Sequence, residues 1–214
     1  MADNKTDPKL PTRDRVLAAA ETLLGEGKAE FSMRDLAATA SVSFATPFNQ
    51  FGTKLAIMRA LSARRTATMH ERLAGTALPA SAAQRVPAAV RIAVAVMTEA
   101  TAVNRAVMGA IGAPCIDAGD AHRRSSAYWA AALGDGSGLA PDRRALGLSV
   151  LPDLLAIAFR GALSFWTAGE IDDDGLMRKA QAAAAGLLLG FVDEPERAAV
   201  IALVAPETAP ISTP

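Results

Sequence analysis

The sequence has little of what several classes of protein need. Cys115 is the only cysteine among 214 residues, so no intrachain disulfide is possible and a reducing compartment is expected. Aromatic residues make up only 5% of the chain, and Val, Ile and Thr never alternate over a long run, which argues against strands. Hydrophobic residues nevertheless make up 51%, with alanine and leucine prominent. This composition predicts an all-α protein.

Signals for membrane insertion and for catalysis are also missing. The first ten residues, "MADNKTDPKL", are polar and lack a signal-peptide core, and the longest apolar run, residues 182–192, is too short to span a bilayer. No nucleophile–base pair, phosphate loop or metal-ligand spacing is visible. The segment "GEIDDDG" lacks the spacing of a calcium loop, and its aspartates are expected to cap the next helix. We therefore expect a cytoplasmic protein that is not an enzyme and has no cofactor, metal or membrane partner.

The net charge is zero, but the charges are unevenly distributed. Residues 1–74 hold eleven Lys and Arg against eight Asp and Glu, whereas the rest of the chain holds eleven against fourteen. A mildly basic N-terminal part on an acidic body is compatible with nucleic-acid binding at that end, and equally with a chance fluctuation.

Breaks in the hydrophobic pattern divide the chain into four parts. We predict a disordered tail over residues 1–11, a domain over 12–74, a larger helical domain over 75–205 and a loose tail over 206–214. In the first domain, Thr12 is expected to cap the first helix and Thr53 a long helix that reaches about Arg72. Helices of the larger domain are expected at about 81–103, 105–112, 118–133, 144–168, 173–192 and 195–204.

Two short helices between residues 32 and 52 have clear start signals. Ser32 is a candidate N-cap with Asp35 three residues later, the spacing of a capping box. Phe31 and Leu36 have the spacing of a hydrophobic staple. Ser43 is a second candidate N-cap only a few residues after the first helix ends. Two short helices joined by so tight a turn predict a helix-turn-helix.

The stretch "SMRDLAATASVSFATPFNQFGTKLAIMRAL" resembles the DNA-binding domain of the TetR family of transcriptional regulators. The positions that match the family pattern are Arg34, Asp35, Leu36, Ala37, Ala40, Val42, Ser43, Thr46, Phe51, Gly52, Thr53 and Lys54. The resemblance implies a three-helix helix-turn-helix domain joined to a larger helical domain for ligand binding and dimerisation. It also implies a homodimer that represses transcription from a near-palindromic operator in double-stranded DNA. A small, largely apolar effector would release the DNA.

The second of the two short helices would lie in the major groove of DNA, which is wide enough to admit a helix. The amides of Asn49 and Gln50 can pair with adenine. Thr46 and Lys54 are suited to phosphates, unless Thr46 is simply a cap; Arg34 fits a flanking phosphate or a surface ion pair. The residues expected at the DNA interface are Ser32, Arg34, Ser43, Phe44, Ala45, Thr46, Phe48, Asn49, Gln50 and Lys54.

Three residues depart from the family pattern. Ser41 replaces the turn glycine, Phe48 replaces a tyrosine and so loses a phosphate contact, and Pro47 occupies a position that is usually aliphatic. The helix either starts at Ser43 or has Thr46 as its cap with Pro47 in the first position, where proline is favoured. These departures also support an alternative function, a helical small-molecule-binding or interaction protein whose DNA-binding head is vestigial.

The larger domain offers candidates for dimerisation and for ligand binding. The helices at about 144–168 and 173–192 match the dimer helices of the family, and the second is apolar on all sides from Ala180 on. A partner subunit or an intrachain core would account for that pattern. Bulky or polarisable residues that would line a ligand pocket, or else fill the core, are Met97, Met108, Tyr128, Trp129, Phe159 and Trp166.

Overall fold

A computed structural model describes residues 10–113 and 119–204, which form ten α-helices and no strand beyond one isolated bridge. The predicted all-α fold is confirmed. Cys115, most of the predicted N-terminal tail and all of the predicted C-terminal tail lie outside the described residues. The helices are α1 (Thr12–Gly25), α2 (Met33–Thr39), α3 (Ala45–Phe51), α4 (Lys54–Ala74), α5 (Ala82–Thr98), α6 (Thr101–Gly112), α7 (Ala121–Leu133), α8 (Arg144–Thr167), α9 (Asp173–Leu188) and α10 (Glu194–Val204).

The chain divides into two compact units. Of the described residues, the first unit contains 10–68, 96–113 and 119–121, and the second contains 69–95 and 122–204. The sequence placed a domain boundary at residues 74 and 75, whereas the compact units divide within α4 and assign α6 to the first unit. Side-chain packing explains that assignment, because Val103 and Val107 of α6 belong to the same hydrophobic core as α1 and α2.

The core of the first unit joins four helices. Val16 and Leu24 of α1, Leu36 of α2, Leu61 of α4 and Val107 of α6 are all buried in one cluster. Burying such side chains is the main favourable term in folding, and it fixes the faces that α1 and α2 turn inward. The residues on their opposite faces are left to solvent.

The start of α2 follows the predicted capping pattern. The Ser32 hydroxyl accepts a hydrogen bond from the Asp35 amide at 3.2 Å, and the Asp35 carboxylate accepts from the Ser32 amide at 2.9 Å. The capping box is therefore confirmed, as is Thr53, whose hydroxyl accepts from the Ala56 amide. The prediction for Thr12 is wrong: Pro11 occupies the cap position, and its carbonyl accepts from the amides of Asp14 and Arg15, the third and fourth residues of α1.

The turn between α2 and α3 passes through the left-handed region. Ser41 has φ of 53°, and it is the one non-glycine residue with positive φ in the described part of the chain. The Arg15 guanidinium of α1 donates to the carbonyls of Ala40 at 2.8 Å and Ser41 at 2.6 Å. These bonds satisfy carbonyls at the C-terminal end of α2 and hold the turn in place.

A buried amide determines where α5 ends. The predicted helix over 81–103 is wrong at its C-terminal end, because α5 stops at Thr98 and α6 begins at Thr101. The Asn104 amide nitrogen donates to the carbonyls of Val96 at 3.2 Å and Met97 at 2.8 Å, which occupies acceptors that a continuing helix would use.

The same asparagine is tied to α1 through α4. The Asn104 side-chain oxygen accepts from Arg65 Nε at 2.8 Å, and Arg65 donates again to Glu21 at 2.7 Å. A buried polar side chain is costly unless its donors and acceptors are paired, and this network pairs both ends of the amide.

In the second unit, α8 packs on α9 and α9 packs on α10. Asp172 caps α9 as expected, since its carboxylate accepts from the Gly175 amide at 2.7 Å. By length and composition, α8 is apolar enough to cross a membrane, with a mean hydropathy of 1.6 over its best window. Core helices of soluble proteins meet the same criterion, and one face of α8 is buried in this unit by residues such as Leu151, Leu155 and Trp166.

The left-handed turn yields a stability prediction. Ser41→Gly should raise the free energy of unfolding by about 0.5–1 kcal/mol, because glycine adopts positive φ without the steric cost that serine bears. Urea-induced unfolding followed by circular dichroism measures this change. Ser41→Ala is the matched control and should give no gain, since alanine retains the Cβ. An equal gain from both substitutions would show that the turn is not strained.

Candidate nucleic-acid interface and ligand-binding residues

The α3 helix begins at Ala45, and Pro47 is its third residue. Neither predicted start is right, because Phe44 occupies the cap position and neither Ser43 nor Thr46 caps the helix with its side chain. Instead, the Ser43 carbonyl accepts from the Thr46 amide at 2.9 Å, and the two hydroxyls lie 2.7 Å apart.

Proline is tolerated here for a simple reason. The amides of the first helical turn have no partner within the helix, so the amide that Pro47 lacks would have made no helical bond. The Pro47 ring is buried, in the position where the family pattern has an aliphatic residue. It therefore lies on the buried side of α3, and the opposite face of the helix is exposed.

That opposite face defines the surface available to a DNA groove. At 100° per residue, Ala45 and Asn49 each lie about 20° from the direction opposite Pro47, whereas Gln50 lies about 120° away. All three residues are exposed. The backbone carbonyl of Gln50 accepts from Arg13 of α1 at 3.0 Å, which binds that edge of α3 to the rest of the unit. Asn49 is thus better placed than Gln50 for outward contacts.

Two phenylalanines form an exposed apolar patch beside this face. Phe44 is 56% exposed and Phe48 is 43% exposed, and their rings meet edge to face with centroids 5.5 Å apart. The Arg34 guanidinium carbon lies 5.8 Å from the centre of the Phe44 ring, within the range of a cation–π contact. Arg34, Phe44 and Phe48 therefore form one continuous surface of positive charge and apolar rings.

The N-terminus of α2 is already occupied by a carboxylate. The Ser32 hydroxyl donates to Asp35 at 2.8 Å, so its proton is used within the capping box. The hydrogen bond from the Ser32 amide is the main cause that lowers the pKa of Asp35, which stays ionised at neutral pH. This negative charge weakens the case for a phosphate contact by Ser32, which remains a prediction.

Lys54 has a structural role besides the one predicted. Its ammonium donates to the Ala29 carbonyl at 2.6 Å and lies 4.6 Å from the centre of the Phe31 ring. It thereby ties the start of α4 to the loop before α2. An ammonium group has three donors, so two remain available for a phosphate.

The ligand-binding candidates fall in different compact units. Met97 and Met108 belong to the first unit, whereas Tyr128, Trp129, Phe159 and Trp166 belong to the second. All six side chains are buried. Within the second unit, the rings of Tyr128, Trp129 and Phe159 form a continuous edge-to-face series, with successive centroids 5.1 and 5.5 Å apart.

Sequence reasoning missed three positioning residues in the first unit, two of which contact α3 or the turn before it. Arg13, Arg15 and Arg65 hold the edge of α3, the turn before it and the start of α6, respectively. Each is a charged residue on an otherwise amphipathic helix, a pattern that does not distinguish a solvated side chain from one that contacts a distant carbonyl.

No protein-family model and no curated protein matches the sequence. Solved structures do match. A TetR transcriptional regulator from Rhodococcus sp. RHA1 aligns with a TM-score of 0.65 at 19% identity, covering 84% of this chain and 97% of that chain. SmeT, the repressor of the Stenotrophomonas maltophilia multidrug efflux pump SmeDEF, aligns with a TM-score of 0.50 at 19% identity, covering 95% and 98%. The complex of SmeT with triclosan aligns with a TM-score of 0.53 at 16% identity, covering 95% of this chain and 99% of that chain.

These alignments run over nearly the whole length of the matching chains, and at such low identity they show a common fold. The three-helix arrangement α1–α3 with its tight turn, followed by the longer α4 and a helical body, is the arrangement that the resemblance implied. The chain has the fold of the TetR-type transcriptional regulators.

Proposed function

We propose that the protein is a cytoplasmic, ligand-responsive transcriptional repressor that binds a near-palindromic DNA operator as a homodimer. The observation that carries this proposal is the presentation of α3. Its buried side contains Pro47, and its outer side exposes Ala45, Phe48 and Asn49 next to Arg34. A short helix displayed in this way is the element that enters a major groove.

The chemistry of the displayed face is suited to DNA. Arg34 and Lys54 supply positive charge for phosphates, and the Asn49 amide can donate to and accept from the edge of an adenine. Phe44 and Phe48 are apolar partners for thymine methyl groups. Since Phe48 lacks a hydroxyl, its share of the interface is packing, and base discrimination rests chiefly on Asn49.

The alternative function, with a vestigial DNA-binding head, is less well supported. Its main argument was that Pro47, Phe48 and Ser41 damage the recognition helix. Pro47 costs no helical hydrogen bond, and the Ser41 turn is held by Arg15. A head that had lost its function would have no need to expose a Phe44–Phe48 pair to water.

The proposed response to a ligand draws on the helical body. A relative in fold, SmeT, is the repressor of a multidrug efflux pump, and one of its solved structures is a complex with triclosan. The second unit of this chain contains a buried series of aromatic rings that suits a small, largely apolar effector. Binding would favour a conformation with lower affinity for DNA.

DNA binding is tested with the DNA that flanks the protein's own gene. Fluorescence anisotropy should detect a specific complex whose affinity falls steeply with salt, because lysine and arginine contacts to phosphates release counterions. Lys54→Met should reduce both the affinity and the salt dependence, by about one unit in the slope of log affinity against log salt.

The control for this experiment is Arg91→Met, which removes an exposed positive charge from α5 in the other compact unit, away from the helices proposed for the dimer. It should leave the affinity unchanged. Because Lys54 also contacts Ala29 and Phe31, the unfolding of Lys54→Met is measured in parallel. Equal affinity for flanking and unrelated DNA would contradict the proposed function and favour the alternative.

A second experiment addresses base readout. Asn49→Ala should relax the base preference at one position of each operator half-site, at a cost of about 1–3 kcal/mol if the amide contact is bidentate. Gln50→Ala is the matched control and should alter the preference less, since Gln50 lies toward the side of α3 held by Arg13. Selection from a randomised operator library measures both. A larger loss for Gln50→Ala would show that α3 meets the groove through a different face.

The homodimer is proposed to form through α8 and α9. Residues spaced three or four apart form one stripe along the outer side of α8, and they are Leu146, Val150, Leu154, Ile157, Gly161 and Phe165. Four of these are large exposed apolar side chains. A Cβ added at Gly161 of α8 or Gly186 of α9 would meet nothing within 4 Å, so each glycine lies on open surface where another backbone can approach. An apolar face of this length marks a protein interface.

Ile157 lies at the centre of this stripe and is 60% exposed. Ile157→Glu should raise the dimer dissociation constant by about 100-fold, because a two-fold interface contains the substitution twice and each buried carboxylate costs at least 1.4 kcal/mol. Sedimentation velocity measures the change. Leu10→Glu, which places the same charge on a residue that is 41% exposed in the first unit, should leave the dimer intact. A fully dimeric Ile157→Glu variant would exclude this interface.

A further inference from the structure

The second unit contains an aromatic cluster made of His70, Tyr128, Trp129 and Phe159. The rings meet edge to face in that order along the series, with centroids separated by 5.3, 5.1 and 5.5 Å. Edge-to-face contacts of this kind are attractive beyond the area that they bury. Trp129 is therefore held between two rings, and the orientation of its indole is fixed by its neighbours.

The polar groups of the buried aromatic residues differ in whether they have a hydrogen-bond acceptor. The Tyr128 hydroxyl donates to the Ala89 carbonyl at 2.8 Å. The Trp166 indole nitrogen donates to the Asp173 carboxylate at 2.7 Å. The Trp129 indole nitrogen, in a residue that is 1% exposed, finds no acceptor among the residues that the structure describes.

A buried indole N–H without an acceptor needs an explanation. Buried tryptophans usually place this group against a partner, since a donor withdrawn from water and left unpaired destabilises the folded state. Phenylalanine would fill an apolar site without that cost. The contrast with Trp166, whose N–H is paired in the same unit, shows that the described residues leave the donor of Trp129 open to a bound molecule.

We propose that the Trp129 indole N–H is the polar contact of the effector site, and that the effector is a neutral planar aromatic molecule with a hydrogen-bond acceptor on its edge. This inference rests on the proposed function, which assigns ligand binding to the helical body. The flanking rings of Tyr128 and Phe159 select an aromatic partner, and the N–H selects and orients its acceptor.

The surroundings favour a neutral effector over an anionic one. Burial raises the pKa of the Tyr128 hydroxyl, so the surroundings of that hydroxyl disfavour a negative charge, and Trp129 beside it is equally withdrawn from water. A neutral acceptor such as a ring nitrogen or a carbonyl oxygen pairs with the N–H without that cost. One well-placed donor within an apolar site is the usual design for orienting a small ligand.

Quinoline and naphthalene test this proposal as a matched pair. They have the same shape and size, and only quinoline carries an acceptor, its ring nitrogen. The chain has two tryptophans, so a proton–nitrogen correlation spectrum of the full-length protein contains two indole signals, which Trp129→Phe and Trp166→Phe assign. Quinoline should move the Trp129 indole proton downfield and leave that of Trp166 in place. Naphthalene at equal concentration should not produce the downfield shift.

Affinities give the second readout. Quinoline should bind the unmodified protein about three- to tenfold more tightly than naphthalene, the ratio expected for one net hydrogen bond. In Trp129→Phe that ratio should fall to about one, and in Trp166→Phe it should persist. Thermal unfolding checks that each variant is folded. If Trp129→Phe does not fold, the shift of the Trp129 indole signal in the unmodified protein alone tests the proposal. Equal affinities, a shift confined to Trp166, or no binding of quinoline would overturn the proposal.

The outcomes separate this inference from the proposed function. Specific DNA binding without a Trp129 response to quinoline would leave the regulator standing and remove the assigned effector class. A Trp129 response in a protein that binds no specific DNA would preserve the ligand site and overturn the regulator.

Discussion

The candidate DNA interface depends on one guanidinium group. Arg15 of α1 donates to the carbonyl of Ala40, the C-cap of α2, and to that of Ser41, where the chain passes through the left-handed region. A helix-turn-helix requires a sharp turn, and this chain lacks the glycine that would make the turn without strain. The interaction from α1 compensates for the missing glycine. The orientation of α3, and hence every contact proposed for Asn49 and Phe48, follows from that turn.

Polar side chains also determine where helices stop in the first unit. The amide of Asn104 occupies the carbonyls of Val96 and Met97, and Arg65 pairs the other end of that amide while bonding to Glu21. A network of this kind is stabilising only when all of its members are satisfied. The contrast with Trp129 is informative, because the described part of the chain pairs its buried amide at both ends yet offers the buried Trp129 indole donor no acceptor.

Local sequence patterns predicted the local structure well. The capping box of Ser32 and Asp35 and the caps at Thr53 and Asp172 form as expected, because each depends on residues within three positions of one another. The predicted caps at Thr12 and Ser43 were wrong because the backbone carbonyls of Pro11 and Ser43 accept from amides in the first turn of their helices. The predicted end of α5 was wrong because the Asn104 side chain occupies carbonyls that a longer helix would use. The residues proposed to contact DNA, ligand and partner subunit stay predictions. The exposed faces of α3 and α8 are the surfaces that best suit DNA and a partner subunit, respectively.

The sequence by itself determined the helical class, the helix-turn-helix and its resemblance to a family, since these are recorded in composition and in short-range spacing. Only the tertiary structure decided that Pro47 is buried at no cost to the helix, that Lys54 already bonds to Ala29, and that α6 packs with α1. It also revealed a buried Trp129 N–H that meets no acceptor among the described residues. These features depend on which distant groups meet in space, and spacing along the chain does not encode a contact between residues that are tens of positions apart.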